Sequence, residues 1–340
     1  MYKSVIIGSG GRAAEHAQAY QHISRAGITA AASIDPDSLQ KMADKYNIKK
    51  TYNDFQEMIA AEKPDLVHAV TPPSVRLAVL ECADKHGVKA VILEKPVAVD
   101  FSDYTAIKKF SSASGLKIII NHQLEFHKQR MRLQKQVSDN SIGKIRFIDA
   151  SARMNMSGQG THMLQAICSF MKNSRPISVF AQAGGIKGLE KTPLMHMAPD
   201  NLQAVISFEN GASALLRTGD ISPFVKPAEP FYMHKRIEVF GEAGRAEWNM
   251  FFSDICCKGK CRKKEHDYRT EDLPAQARMI NAMFDWMEND DKIHPLNINR
   301  ALAEFEILLA AYISVIKKQP VSFPLVYSGE SIINNLRKSL

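Results

Sequence analysis

A glycine-rich segment near the start of the chain has the spacing that phosphate binding requires. The apolar run Val5–Ile7 ends in Gly8, and the pattern Gly8-x-Gly10-x-x-Ala13 leads into a helical run. Gly8 permits a tight turn, Gly10 lets the backbone approach a pyrophosphate, and small Ala13 lets helix and strand pack closely. The helix N-terminus offers unpaired N–H groups and a positive dipole end. The pattern predicts a dinucleotide site formed by Gly8, Ser9, Gly10, Gly11, Arg12 and Ala13.

An acidic residue, Asp35, follows the next apolar run of the chain. This is the place where a carboxylate bonds the adenosine ribose hydroxyls in such sites. Because a carboxylate repels a 2′-phosphate, Asp35 favours NAD over NADP as the cofactor. The alternative is that Asp35 only caps the following helix. Asp37 and Ser38 can also serve as caps, which would leave Asp35 for the ribose.

Lys95 is the first candidate for acid–base chemistry. It follows the apolar run Val88–Leu93 directly after Glu94. Ligands of open α/β sheets bind at the carboxyl ends of the strands, and a lysine there can polarise or protonate a carbonyl oxygen if burial lowers its pKa. The alternative is a surface lysine in a turn. Thr71, Pro72 and Glu94 also follow strands, and we predict that they contact the cofactor.

Strands and helices must alternate to bring these residues to one edge of a sheet. Residues 1–121 show this alternation, which predicts a doubly wound parallel sheet, the Rossmann arrangement of an α/β domain. The predicted buried strands are Val5–Ile7, Thr29–Ile34, Leu66–Val70, Val88–Leu93 and Leu116–Ile120.

The pattern changes in residues 122–340, which we predict to be an α+β domain with a mostly antiparallel open sheet. Glu209-Asn210-Gly211 separates two alternating apolar runs, and Asn-Gly in that position is a strong hairpin signal. A second pair of strands flanks Glu242-Ala243-Gly244. Two long helices, Ala275–Glu288 and Asn299–Lys318, are predicted near the end.

The motifs occur in the order seen in one known family. The glycine loop, Thr71-Pro72-Pro73, Glu94-Lys95-Pro96-Val97, Asn121-His122-Gln123 and Gly160-Thr161-His162 resemble those of the glucose–fructose oxidoreductase / inositol dehydrogenase (Gfo/Idh/MocA) family over essentially the whole chain. The resemblance implies a nicotinamide cofactor, sugar-like or cyclitol substrates and a cis bond before Pro96. It also implies a homodimer or homotetramer assembled through the C-terminal sheet.

Carried over residue by residue, the resemblance makes Lys95 the catalytic lysine and His162 the proton acceptor. This chain departs from the family pattern at two positions. Gly158 stands where an aspartate often precedes the histidine by four residues, and Gln165 where another often follows by three. An imidazole without a carboxylate partner is a weaker base, although Gln165 can orient the ring by hydrogen bonding. Without the resemblance, His162 fits a helix-start or core histidine.

Further residues are predicted to line the pocket. Asn121 is assigned to the cofactor, and the substrate set comprises Lys95, His122, Gln123, Arg153, Asn155, His162 and Gln165. Arg76 occupies a place where the family often has histidine. It is either an exposed helix arginine or a cation for an anionic substrate group.

The cysteines favour neither a disulfide framework nor a metal site. Five cysteines in 340 residues are too few for a disulfide scaffold. Cys257-x-x-x-Cys261 with His266 meets only half of the usual zinc pattern, and the adjacent Cys256 rarely shares one metal with Cys257. We therefore predict no metal.

Composition excludes several classes of partner. The net charge is +8, but the densest basic run, 258–264, contains no aromatic residue. It fits a solvated hairpin tip better than a groove reader, so we predict no nucleic-acid partner. No apolar run reaches the length of a membrane span, and the N-terminus lacks a signal-peptide profile. The expected location is the cytoplasm, with no membrane partner.

The predicted reaction is hydride transfer between nicotinamide and a secondary alcohol or ketone of a sugar, sugar derivative or cyclitol. NADP is the less favoured cofactor. Two alternatives keep the glycine loop: an NAD-retaining glycosidase of the same fold, and a non-enzymatic, NAD-responsive binding protein. The departures at Gly158 and Gln165 are the reason to retain both.

Overall fold

The computed structural model describes residues 1–190 and 197–340, which form two compact units. The first unit comprises Met1–Ala98, Ser102–Gln123 and Asp272–Leu302; the second comprises Val99–Phe101, Leu124–Glu271 and Ala303–Leu340. The segment 272–302 thus packs with the first unit, although the sequence-based ranges assign it to the second domain. Packing units and folding domains need not coincide, so the ranges 1–121 and 122–340 stay a prediction.

The first unit contains a parallel sheet of six strands in the order β3-β2-β1-β4-β5-β6. The strands are β1 Tyr2–Ile7, β2 Ala26–Ala32, β3 Lys50–Tyr52, β4 Leu66–Ala69, β5 Ala90–Leu93 and β6 Lys117–Ile120. The predicted doubly wound sheet is confirmed. The sequence analysis missed β3, because this short edge strand is mostly exposed and has no apolar run.

Helices α1 Gly11–Ala19, α2 Pro36–Tyr46, α3 Phe55–Glu62, α4 Arg76–Lys85 and α5 Phe101–Ala113 follow the strands. The start of α3 is fixed by Asp54, whose carboxylate accepts the Gln56 N–H at 2.6 Å. α2 ends at Tyr46, and the next residue, Asn47, adopts a left-handed conformation. Buried side chains from β1, β2, α1 and α2 form one core cluster, which includes Ile6, Ala13, Ala17, Ala31 and Leu39.

The second unit contains an open sheet whose described strands have the order β14-β13-β12-β11-β7-β10-β9-β8-β15. β7 and β10 run parallel, and the other described pairs are antiparallel, as predicted. The strands are β7 Ile145–Ala152, β8 Pro176–Gly184, β9 Asn201–Phe208, β10 Ser213–Thr218, β11 Lys235–Gly241, β12 Gly244–Asn249, β13 Phe252–Cys257, β14 Lys260–Glu265 and β15 Val321–Ser322.

The remaining helices are α6 Lys128–Ser138, α7 Thr161–Phe170, α8 Tyr268–Glu288, α9 Ile298–Lys317 and α10 Ile332–Ser339. Alternation predicted the strands well: in β9, Leu202, Ala204, Ile206 and Phe208 are buried while Gln203 and Val205 between them are exposed. None of the described helices is both long and apolar enough to span a bilayer.

The basic run 258–264 lies in the turn between β13 and β14 and in β14 itself, where every residue is exposed. The hairpin-tip prediction is confirmed. Cys256 and Cys261 face each other across the two strands and form a disulfide, which the sequence analysis did not anticipate. Among residues 1–190 and 197–340, no three His, Cys, Asp or Glu side chains are grouped closely enough to hold a metal ion.

The turn between β1 and α1 requires glycine at its first position. Gly8 has φ +108°, and a β-carbon there would overlap the carbonyl oxygen of Val70. At Gly11, by contrast, a β-carbon would meet no atom within 4 Å. A side chain at Gly8 would therefore be strained and overlap Val70, whereas a side chain at Gly11 would have space.

We expect Gly8→Ala to lower the free energy of unfolding by about 2–4 kcal/mol, because it combines backbone strain with overlap. Gly11→Ala is the matched control and should leave stability unchanged or slightly increased, since alanine favours the helix. Urea unfolding followed by circular dichroism measures both. Equal losses in the two variants would contradict this explanation of Gly8.

Candidate functional site

The N-terminus of α1 fits the phosphates of a dinucleotide. Gly10 precedes the helix without a side-chain cap, so the first N–H groups of α1 have no side-chain acceptor there. Space beside Gly10 and Gly11 is open to at least 4 Å from a built β-carbon. Ala13 is fully buried and lets α1 pack against the sheet. This arrangement can accept an anion at the helix terminus.

Two serine contacts connect the glycine loop to the region after β2. The hydroxyls of Ser9 and Ser33 are 2.8 Å apart. Ser38 donates its hydroxyl to the Ser9 carbonyl at 2.9 Å. The loop is thereby held beside Asp35, the residue predicted to bind ribose.

Asp35 itself caps α2, because its Oδ1 accepts the Ser38 N–H at 3.1 Å. The suggestion that Asp37 and Ser38 would replace it as caps is wrong: Asp37 lies in the first turn of the helix, and Ser38 supplies the capped N–H. The side chain of Asp35 is exposed. A carboxylate has two oxygens, so capping with Oδ1 is compatible with a second role, and ribose binding stays a prediction.

Glu94 is a buried carboxylate at the end of β5, and three donors converge on its Oε1. Arg12 Nε lies at 3.1 Å, His16 Nε2 at 2.9 Å and Asn121 Nδ2 at 2.6 Å. Burial alone would raise the pKa of Glu94, but the charge of Arg12 and the hydrogen bond from His16 hold it well below the ordinary value. Glu94 is therefore an anion, and it connects the glycine loop to the strand that precedes Lys95.

Lys95 is partly buried, which disfavours the alternative of a fully exposed surface lysine. Burial lowers the pKa of Lys95 to about 8, with the charges of Arg12 and Arg76 acting in the same direction and Glu94 opposing them. The peptide bond between Lys95 and Pro96 is cis, which confirms the expectation taken from the family resemblance. An amine with this pKa can exchange a proton near neutral pH.

Arg76 is fully buried at the start of α4, so the reading as an exposed helix arginine is wrong. Its Nη2 donates to the Lys95 carbonyl oxygen at 3.4 Å. Burial lowers the pKa of Arg76 to about 10, while Glu94 and Asp103 oppose that shift. The guanidinium remains charged at neutral pH. Its proposed role toward an anionic substrate group stays a prediction.

Several other predicted residues lie at the ends of strands in the first unit. Thr71 and Pro72 follow β4, and Asn121, His122 and Gln123 follow β6. Asn121 is fully buried and bonds to Glu94. Gln123 donates its Nε2 to Asp272 Oδ1 at 3.1 Å. The structure thus places these residues at the carboxyl edge that was predicted, and their ligand contacts stay predictions.

His162 is the second residue of α7 and is 4% exposed. A π-helical turn, Met156–Gly160, precedes the helix and begins at Asn155, whose Oδ1 accepts the Gly158 N–H at 2.9 Å. A β-carbon at Gly158 would lie 3.0 Å from that same oxygen. The missing family aspartate therefore coincides with a tight turn, which a side chain at position 158 would disturb.

Gln165, predicted to orient His162, has other partners. It is fully buried, its Oε1 accepts from Arg130 at 2.8 Å, and its Nε2 donates to Glu125 at 3.0 Å. Glu125 also accepts Arg130 Nη2 at 2.7 Å and the Ser169 hydroxyl at 2.8 Å. Burial raises the pKa of Glu125, but Arg130 and these hydrogen bonds lower it below the ordinary value. These contacts of Gln165 thus stabilise a buried ion pair.

Arg153 lies just after β7 and is partly buried. Its Nη1 donates to the Ser222 carbonyl at 2.7 Å, and its guanidinium carbon lies 3.7 Å from the centre of the Phe224 ring. The sequence analysis missed Lys235, a buried lysine in the first position of β11. Its Nζ donates to Gln159 Oε1 at 3.0 Å, within the turn before His162. Its position directly before a predicted strand gave no signal that it would be buried.

Residues 2–122 match the model of the Gfo/Idh/MocA family, described as an oxidoreductase family with an NAD-binding Rossmann fold. This segment, about a third of the chain, is similar to that family. The match covers the glycine loop, Asp35, Glu94, Lys95 and Asn121, so the resemblance seen in the sequence is confirmed for the part of the chain that carries the cofactor motifs.

Relatives of known name extend the similarity. A D-apiose dehydrogenase from Paraburkholderia graminis is 28% identical over 143 residues, which are 42% of this chain and 38% of the relative. The alignment with this relative thus covers well under half of its length. An inositol 2-dehydrogenase from Rhizobium meliloti is 22% identical over 335 residues, covering 93% of this chain and 98% of the relative.

A solved structure shows the same fold. The oxidoreductase from Agrobacterium radiobacter in complex with NAD+, L-tartaric acid and magnesium superposes with a TM-score of 0.81 at 18% identity. The alignment covers 94% of this chain and 98% of that one. The predicted combination of a Rossmann sheet with a second, mostly antiparallel sheet is therefore confirmed as a fold.

The electrostatics of Lys95 can be measured directly. We expect its amine to titrate near pH 8, well below the ordinary lysine value of about 10.4. Glu94→Gln removes the negative charge that raises the pKa, so Lys95 should become neutral at a lower pH in that variant. Competitive labelling with acetic anhydride across pH, read by mass spectrometry, gives the titration curve of each lysine.

Lys89, which is exposed and paired with Asp65, is the internal control. The pKa of Lys89 should be the same in Glu94→Gln as in the unaltered protein. An ordinary pKa at Lys95 in the unaltered protein would contradict the electrostatic description of the site.

Proposed function

We propose that this protein is an NAD-dependent dehydrogenase or reductase that acts on a secondary alcohol or ketone of a sugar, sugar derivative or cyclitol. One observation carries the proposal: the 3.1 Å contact between Arg12 and Glu94 holds the glycine loop against the turn that bears Lys95. A bound dinucleotide would thus have an ionisable amine in the same unit. The names of the apiose and inositol dehydrogenases support the substrate class.

Within this proposal, Gly8, Ser9, Gly10, Gly11, Arg12 and Ala13 hold the pyrophosphate, and Thr71, Pro72, Glu94 and Asn121 complete the cofactor site. The cofactor, when bound, supplies the donor or acceptor of a hydride. The chain contributes Lys95, whose ammonium polarises the reacting oxygen. Because its pKa is about 8, both protonation states are populated near neutral pH, which suits proton exchange in either direction of the reaction.

His162 accepts or relays the proton of the reacting hydroxyl in this proposal. A neutral imidazole is a suitable base near pH 7. The family aspartates are replaced by Gly158 and Gln165, and Gln165 bonds to Arg130 and Glu125. His162 is thus proposed to act without a carboxylate at either position. Arg153, Asn155, His122 and Gln123 are proposed to bind substrate.

The preference for NAD over NADP rests on Asp35. We expect Asp35→Asn to weaken the discrimination against NADPH by about tenfold, because the amide removes the charge that repels a 2′-phosphate. Asparagine retains the oxygen that caps α2, so helix stability should change little. Asp37→Asn removes a charge from the same helix and is the control. Fluorescence titrations with NADH and NADPH measure the ratio of the two dissociation constants.

Tighter binding of NADPH than of NADH by the unaltered protein would remove the role proposed for Asp35. An unchanged ratio in Asp35→Asn would do the same, provided that thermal unfolding shows an intact helix cap.

Assembly through the open sheet is proposed as well. Phe180 and Val205 are directly paired across β8 and β9, so their side chains lie on the same face, and they are 40% and 39% exposed. Ile177 in β8 is 49% exposed. Apolar side chains exposed together on a sheet support a homodimer or homotetramer that covers them.

The catalytic assignment is tested with a panel of pentoses, hexoses, inositols and their keto derivatives. We expect NAD+-dependent oxidation, or NADH-dependent reduction, of at least one compound. Lys95→Met should lower kcat/KM by at least 10²-fold and His162→Asn by 10²- to 10⁴-fold, the range usual for acid–base groups. Lys89→Met, a change at the exposed lysine, should have no effect. Absorbance at 340 nm follows the cofactor.

Other outcomes identify the alternatives. Release of phenol from an aryl glycoside without net NADH formation would favour the NAD-retaining glycosidase. Binding of NADH without turnover of any compound, in the unaltered protein as in Lys95→Met, would favour the binding protein. Undiminished turnover in Lys95→Met would refute the role of Lys95.

A further inference from the structure

In the first unit, a continuous line of hydrogen-bonding side chains runs from Glu94 through His16 and His68 to Tyr20. His16 Nε2 lies 2.9 Å from Glu94 Oε1, and His16 Nδ1 lies 3.0 Å from His68 Nδ1. His68 Nε2 in turn lies 2.8 Å from the Tyr20 hydroxyl. His16 and His68 are both 0% exposed. Every ring nitrogen of the two histidines therefore has a partner, and the line ends on the carboxylate next to Lys95.

The ionised carboxylate favours one direction for the hydrogen bonds in this line. A carboxylate only accepts, so a hydrogen bond from His16 to Glu94 places the hydrogen on Nε2 and makes Nδ1 an acceptor. The Asn121 Nδ2 donor, which lies 2.7 Å from the same His16 Nε2, then donates to Glu94 Oε1. The facing Nδ1 of His68 must then donate, which leaves His68 Nε2 as an acceptor for the Tyr20 hydroxyl. Burial lowers the pKa of both histidines, which is consistent with two neutral rings in fixed tautomers.

We propose that His16, His68 and Tyr20 are positioning residues for Lys95: they lock His16 as a donor to Glu94, and the oriented Glu94 carboxylate sets the charge state of the lysine. The inference rests on the proposed function only for the importance of Lys95 to catalysis. The hydrogen-bonded line itself is a property of the described structure.

The alternative reading is a pair of core histidines with no influence beyond packing. Two neighbouring imidazoles can exist in more than one tautomeric arrangement, and only one of these places a hydrogen between His16 and Glu94. In the opposite arrangement His68 Nδ1 accepts, His16 carries its hydrogen on Nδ1, and its unprotonated Nε2 faces the Asn121 amide and the Glu94 anion. Electrostatic repulsion would then displace Glu94 or favour its protonation. His68 thus reaches the Glu94 carboxylate only through His16.

Other charged groups also face this cluster and must remain in place during the test. Arg12 and Glu15 come from α1, Arg76 from α4, and Asp272 from α8 acts on Arg12. Asn121 donates to the same Glu94 oxygen as His16. The variants below change none of these groups, so a shift at Lys95 is attributable to the histidine line.

The experiment compares the titration of Lys95 in His68→Val, His68→Asn and Tyr20→Phe by competitive labelling. In His68→Val we expect the pKa of Lys95 to fall by at least half a unit, about a threefold increase in the ratio of amine to ammonium. In His68→Asn the pKa of Lys95 should return most of the way to its value in the unaltered protein, because an amide nitrogen can replace the Nδ1 donor. Tyr20→Phe removes only the donor that orients His68 and should produce a smaller shift in the same direction.

His86→Ala is the control, since His86 belongs to the same unit but bonds to Cys82. Equal titration of Lys95 in the unaltered protein, His68→Val and Tyr20→Phe would overturn the inference. So would identical shifts in His68→Val and His68→Asn, which would indicate packing. If His68→Val fails to fold, Tyr20→Phe and His68→Asn still decide. The assay needs no substrate, so it can fail while the proposed dehydrogenase activity stands, and the reverse also holds.

Discussion

The buried negative charge of Glu94 is the interaction on which the organisation of the first unit depends. A carboxylate that leaves water must be compensated by charge and hydrogen bonds. Arg12 supplies the charge, and His16 and Asn121 supply donors. These partners come from α1 and from the residue after β6, so one carboxylate connects the glycine loop with the ends of two strands. The same charge opposes the effect of burial on Lys95, which links packing to acid–base chemistry.

The second unit contains a buried carboxylate as well, but its surroundings serve a different purpose. Glu125 is compensated by Arg130, Gln165, Ser169 and Gln134, and all four are side chains of α6 or α7. The ion pair therefore joins two helices, one of which carries His162. Removing one member of such a pair leaves the other charge uncompensated. Gln165 is thus part of the support of α7, which explains why a neutral amide fits a position where the family often has an acid.

How far the sequence predicts this molecule depends on the range of the interactions involved. The glycine loop and the parallel strands follow from local spacing and apolar runs, and Gly8 shows why: its left-handed conformation and its contact with Val70 are consequences of one short turn. The partners of Glu94 and Gln165 lie tens of residues away, so no local pattern announces them. Asp35 is an intermediate case, because capping and ribose binding use the same residue type at the same position.

The two departures from the family pattern, Gly158 and Gln165, have different structural explanations. Gly158 lies in a turn that is closed by a hydrogen bond of 2.9 Å from its N–H to Asn155 Oδ1. A β-carbon at position 158 would lie 3.0 Å from that oxygen. The loss of an aspartate at 158 is therefore coupled to the turn that precedes His162. Gln165, in contrast, is coupled to the Glu125–Arg130 pair. A single substitution at either position would disturb this support as well as change the charge near the histidine. Positions 158 and 165 thus belong to two local packing arrangements, and an exchange of either residue for aspartate has to change the supporting residues together with it.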